Sequence, residues 1–181
     1  MKKNNLRFTI ISTLLCLLPM IVGAILYNRL PSEIPVHFDI NSKPDMLASK
    51  NFALFGIPTI MAIFQLIFSI FVWYANNRIP KMPKLMNMLK WFMPVLTVGL
   101  YTIMIVYALG NEINVGKIVC FMLGIIFCTL GNYFPKMSYE SNKLFIHPKP
   151  KDEKSFRKMS KISGYFFIGI GVILLIIMIF V

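Results

Sequence analysis

Acidic residues are what this sequence has least of: seven Asp and Glu against 19 Lys and Arg in 181 residues, with only two His. None of the seven falls in a long apolar stretch, and no His or Arg does either. Transport coupled to protons or ions places such groups at membrane depth, so that class finds no support. Enzymatic chemistry lacks a recognisable nucleophile and a complete metal set. Cysteine is scarce as well. Cys16, Cys120 and Cys128 lie inside apolar stretches, where a thiol behaves as a small hydrophobe. Cys120 and Cys128 would stand about 12 Å apart on one helix, too far to bridge. No C-x-x-C spacing occurs, so neither a disulfide framework nor a zinc site is expected, and no cofactor is indicated. Charged residues of both signs make up only 14% of the chain and hydrophobic ones 57%, with a mean hydropathy of +0.69. A soluble domain cannot cover itself with so few polar groups.

What is present is apolar sequence in long blocks. Five approach or reach the roughly 20 residues that cross a bilayer: Phe8–Tyr27, Phe52–Ala75, Trp91–Leu109, Ile118–Phe134 and Gly164–Val181. The expected fold is an all-α membrane protein, a five-helix transmembrane bundle forming one integral membrane domain over 1–181. A short ordered extracellular loop, 28–51, joins the first two spans. Basic residues set the orientation. Three lie in the N-terminal tail (Lys2, Lys3, Arg7), four in 76–90 (Arg78, Lys81, Lys84, Lys90) and eight in 135–163, out of 19. By the positive-inside rule these regions face the cytoplasm and the C-terminus lies outside. The net charge of +12 is therefore loop charge. Nucleic-acid binding needs a folded basic face, and no nucleic-acid partner is expected. A competing reading makes the first block a signal peptide cleaved near Val22-Gly23-Ala24, but the apolar stretch is long for one. A lipoprotein signal would want a small residue where Leu15 precedes Cys16.

Within the spans, Gln65 is the clearest polar side chain, with Ser69 one turn on, and it reads as an interhelical hydrogen-bond partner. Pro19, Pro58 and Pro94 each interrupt a helix. On the fourth span Gly116, Cys120, Gly124 and Cys128 recur every four residues, continued by Asn132. Small residues at that spacing let another backbone approach, so the series is expected to be a packing seam, with dimerisation as the alternative. It leaves the oligomeric state open.

The richest segment runs from Leu30 to Asp45. Pro31 and Pro35 force extended backbone before them. Val36 to Ile40 then reads as a strand that puts His37 and Asp39 on one face and Phe38 on the other, and residues 41–45 are turn chemistry. His37 and Asp39 fit a hydrogen-bonded pair fixing the loop. A metal with Asp45 or Glu33 as third ligand, or an acid–base pair, are the other readings; one His with a few carboxylates leaves metal unassigned. The candidate binding residues are Pro31, Pro35, His37, Phe38, Asp39, Pro44 and Asp45.

Leu-Pro-x-x-Ile-Pro-x-His-Phe-Asp over residues 30–39, followed by Lys43-Pro44-Asp45, resembles the N-terminal signature of the SdpI family. Gly131, Asn132, Pro135 and Lys136 match that family's Gly-Asn-x-x-Pro-Lys segment, and Phe156-Arg157-Lys158 leading to Ser163-Gly164 resembles its Trp-Arg-Lys. The departures are Ser42 where family members commonly have Gly, Phe145-Ile146-His147-Pro148 in place of a Gly-Ile-Arg-Thr-Pro-Trp run, and Ser160 where a His usually follows. The family prototype has a sixth helix beyond the five read here. The resemblance implies a non-enzymatic immunity or resistance protein of a bacterial plasma membrane, which protects against a secreted peptide toxin or membrane-active agent met on the outer side. Alternatives are a sensor or adaptor whose basic stretch, Lys149 to Lys161, binds a cytoplasmic regulator or anionic lipid, and a small lipid or peptide transporter.

Overall fold

The computed structural model describes residues 3–39, 41–78, 84–140, 150 and 152–180. Ile40 and Phe145-Ile146-His147-Pro148 lie outside them, as do Lys2, Lys81, Lys143, Lys149, Lys151 and Val181. The chain is mostly helical and forms two compact units, residues 1–73 with 89–115, and 74–88 with 116–181. Among the described residues, four helical stretches are long and apolar enough to cross a membrane: Asn5–Arg29, Phe52–Asn77, Val115–Lys136 and Glu153–Phe180. Phe92–Ala108 is apolar but shorter.

In the first unit, α1 (Lys3–Leu17) and α2 (Pro19–Leu26) make up the first long stretch. Pro19 opens α2, where its missing N–H is tolerated. A 3₁₀ turn, Tyr27–Arg29, leads into the hairpin of β1 (Glu33–Phe38) and β2 (Pro44–Ser49). A π-helical turn, Phe52–Gly56, precedes α3 (Ile57–Arg78). The short α4 (Lys84–Leu89), which the apolar pattern does not reveal, falls in the second unit up to Met88, and α5 (Phe92–Ala108) completes the first. The sheet is the departure from an all-α fold: its second strand begins at Pro44 and Asp45, which the composition reads as turn, and runs on to Ser49.

Two prolines organise this unit through what they cannot donate. Pro58 has no N–H for the Leu54 carbonyl four residues back, and the Tyr101 hydroxyl of α5 donates to that carbonyl at 3.4 Å. Pro94 likewise leaves the Lys90 carbonyl without its helical donor. Gln65 fills that place, with Nε2 3.0 Å from the Lys90 oxygen. The same amide nitrogen lies 2.8 Å from Ser12 Oγ and 3.2 Å from Ser69 Oγ, and Gln65 is fully buried. In an apolar solvent every unpaired carbonyl is costly, so neighbouring helices supply the donors. Gly23 of α2 lies against this junction: a Cβ there would overlap the Tyr101 hydroxyl.

The second unit contains α6 (Val115–Tyr133), a 3₁₀ turn at Phe134–Lys136 and α7 (Glu153–Phe180). The last apolar span, read from 164, is the second part of a helix that begins eleven residues earlier. Helices α6 and α7 run antiparallel, with glycine facing glycine at two levels. A Cβ on Gly131 would lie 2.5 Å from the Gly164 carbonyl oxygen, and one on Gly171 2.8 Å from that of Gly124. Gly124 and Gly131 are seven residues apart, as are Gly164 and Gly171, which is two turns of helix. Phe167 stacks with Phe127 and Phe134, ring centroids 5.6 and 5.0 Å apart.

Candidate functional site

The hairpin is held against the ends of α2, α3 and α5 by its buried side. Ile34 is fully buried and packs with Leu30, Leu54, Tyr101, Met104 and Ile105. Phe38 meets Tyr107 edge to face, with centroids 4.9 Å apart. Pro35 is buried, whereas Pro31, His37 and Asp45 are exposed. The strands pair antiparallel, Glu33 opposite Ser49 and His37 opposite Met46, with irregularities on either side of His37. Such bulges redirect side chains, and here the His37 ring reaches Asp45: Nδ1 lies 2.6 Å from the carboxylate.

The hydrogen-bonded partner of His37 is thus Asp45, and Asp39 does something else. Asp39 Oδ1 accepts the backbone N–H groups of Asn41 and Lys43 at 2.9 and 2.8 Å, and its backbone N–H donates to the Lys43 carbonyl. The Lys43 N–H, above all, holds the Asp39 carboxyl below the usual carboxylate range. Ser42 occupies the left-handed region at φ 62°, a conformation costing a non-glycine residue about 1–2 kcal/mol. Glycine would adopt this conformation without that cost. Ser42 Oγ also donates to Asn114 Oδ1 at 3.2 Å, tying the turn to the α5–α6 connection. Glu33 lies at the far end of the hairpin from His37. Among the described residues no three His, Cys, Asp or Glu converge as a metal set.

Lys50, which counts in the sequence only as a loop charge, anchors the base of the hairpin. Its Nζ donates to the carbonyls of Leu30 (2.7 Å) and Tyr27 (3.1 Å) and lies 4.6 Å from the Tyr27 ring centroid. Tyr27 donates its hydroxyl to Asn51 Oδ1 at 2.7 Å. A Lys just past a strand carries no pattern announcing this role. What remains outward is the exposed apolar pair Met46 and Leu47 beside His37 and Asp45.

The other sequence motifs map to the second unit. Gly131 faces Gly164, and the Pro135 ring also lies where a Gly164 side chain would project. Asn132 Oδ1 accepts from Lys136 Nζ at 3.0 Å. The Gly-Asn-x-x-Pro-Lys segment is therefore a helix joint with a polar clasp. Gly124 and Cys128 lie against Gly171, Cys120 is half-buried, and Gly116 sits in the first turn of α6.

Long apolar helices with a hairpin seated on the ends of three of them define a multi-pass membrane protein. The family described as "Domain of unknown function (DUF1648)" matches residues 14–62, which include the whole hairpin. The chain is 32% identical over 132 residues to "Immunity protein SdpI" of Bacillus subtilis (strain 168), covering 73% of this chain and 59% of that protein. The chain belongs to the SdpI family. It spans less than two thirds of the length of that curated relative. No solved structure matches it.

Proposed function

We propose that this chain is a membrane immunity protein, protecting a bacterial cell from a secreted peptide toxin or membrane-active agent without catalysing a reaction. In this reading the five apolar stretches all cross the plasma membrane, the N-terminus and basic loops are cytoplasmic, and the hairpin faces outward with the C-terminus. The observation that carries it is the hairpin itself. Its buried side fixes it to the helices through Ile34, Phe38 and Lys50, and the exposed side chains of Met46, Leu47, His37 and Asp45 are open to a partner. A pre-ordered surface loses little entropy on binding. Kinship with a protein named for immunity supports the same reading.

A survival assay tests it. A toxin-sensitive strain expressing the chain is challenged with a panel of membrane-active peptides, alongside His37→Ala, Asp45→Ala and Leu47→Ala. Truncating a contact at a binding hot spot costs about 2 kcal/mol, about thirty-fold in affinity. At least one variant should lose protection while accumulating normally. Unchanged sensitivity with and without the wild-type chain across the panel would remove the immunity reading.

A further inference from the structure

α7 is longer than a membrane requires. Its 28 residues extend about 42 Å at 1.5 Å per residue, against a hydrocarbon core about 30 Å thick. Two properties divide its length. The first part presents an open surface depression of about 560 Å³ between the side chains of Glu153, Lys154, Arg157, Lys158 and Lys161. Four of those five side chains are cationic. The one carboxylate, Glu153, is engaged by Arg157, whose Nε and terminal nitrogen donate to it at 2.9 and 2.6 Å. The opposite side of this part is packed: Phe156 and Ser160 are buried, and Tyr139 meets Phe156 edge to face. Asp152 caps the start by accepting the Ser155 N–H at 2.7 Å.

The cationic strip continues along the same face into apolar surface. Lys154, Lys158 and Lys161 recur at helical spacing, and Tyr165, Gly169 and Val172 follow in the same series. Tyr165 is 70% exposed and Val172 44%, and a Cβ on Gly169 would find nothing within 4 Å. One face thus offers clustered cations, then a tyrosine, then an open apolar track. An acidic protein would be complementary to the first part only. A phospholipid is complementary to all of it, with an anionic headgroup among the cations and an acyl chain along the track.

We propose that this face of α7 binds an anionic phospholipid, its headgroup phosphate held by Lys154, Arg157, Lys158 and Lys161. The site rests on the bilayer placement of α7 given above and not on the immunity reading, so toxin sensitivity does not enter its test. Basic clusters beside a span gain affinity from each cation near an anionic surface, and this arrangement adds a defined track for the chain.

The test uses the full-length protein in detergent, with binding measured by native mass spectrometry and thermal unfolding. The probes are dioleoylphosphatidylglycerol, dioleoylphosphatidylcholine and glycerol 3-phosphate. Phosphatidylglycerol should bind saturably and raise the unfolding temperature, and phosphatidylcholine should do neither. Changing Arg157, Lys158 and Lys161 to Gln together should weaken phosphatidylglycerol by about ten-fold or more. The charge-retaining K158R/K161R variant should bind as the wild type does and so guards against misfolding. Removing three charges elsewhere, with K2Q/K3Q/R7Q, should leave affinity within about two-fold. Equal loss in both triple variants would reduce the site to bulk charge. Phosphatidylglycerol bound no better than phosphatidylcholine would leave the face to an acidic protein, and glycerol 3-phosphate bound as tightly would make it a free-phosphate site. Each of these outcomes overturns the assignment.

Discussion

Gly164→Leu and Gly171→Leu should each destabilise the protein severely, whereas Gly169→Leu on the same helix should not. At 164 a Cβ would lie 2.8 Å from both the Gly131 carbonyl oxygen and the Pro135 ring, and at 171 it would lie 2.6 Å from the Cys128 sulfur and 2.7 Å from its backbone nitrogen. Backbone and a proline ring cannot swing aside as a flexible side chain does, so α6 and α7 would have to separate. Overpacking of this kind costs about 1–3 kcal/mol for a modest insertion and more for a bulky one, and it also removes the close approach that holds membrane helices together. At 169 the space is open, and leucine is the better helix former by somewhat under about 1 kcal/mol. Thermal unfolding of the three purified variants measures this. Equal damage at all three positions would mean that the glycines matter for some reason other than the seam.

The second large effect is a coupling. Gln65→Leu removes the amide that serves the Lys90 carbonyl and leaves a buried acceptor unpaired, at a cost of about 1–3 kcal/mol. Pro94 is why that carbonyl needs an outside donor. In a Pro94→Ala background the new N–H can reach it, and the cost of Gln65→Leu should fall by about 1 kcal/mol or more, within the range for residues sharing one network. Ser12 and Ser69 also touch the Gln65 amide, so some cost should remain. Additive effects of the two substitutions would show that the carbonyl is not the shared element.

Both effects rest on residues that the sequence flags but does not connect. Gln65 stands out as a polar side chain in an apolar stretch, and the prolines stand out as helix interruptions. Nothing in one dimension says that the glutamine serves the carbonyl orphaned by Pro94, because Gln65 and Lys90 lie 25 residues apart, the one within α3 and the other just before α5. The four-residue series on α6 is visible in the same limited way. It contains Gly124, but the closest approach involves Gly131, Gly164 and Gly171, whose seven-residue pairing emerges only when two helices are laid side by side. The hairpin was half legible. Pro31 and Pro35 announce extended chain and residues 41–45 a turn, but Pro44 and Asp45 in fact open the second strand, and Met46 to Ser49 carries no clean alternation, so neither that strand nor the His37–Asp45 pairing is legible. The short helix Lys84–Leu89 sits between charged residues and prolines, with too few residues to show a period.

Contact with a secreted toxin requires the hairpin to face outward, and the proposed orientation puts the basic part of α7 in the cytoplasm. Single cysteines at Leu47 and at Lys158, in a chain whose Cys16, Cys120 and Cys128 are replaced by Ala, report both with a membrane-impermeant maleimide. The Leu47→Cys chain should label on intact cells, and the Lys158→Cys chain only after permeabilisation. Labelling of Lys158→Cys on intact cells with Leu47→Cys protected would contradict the orientation, and with it the outward contact surface.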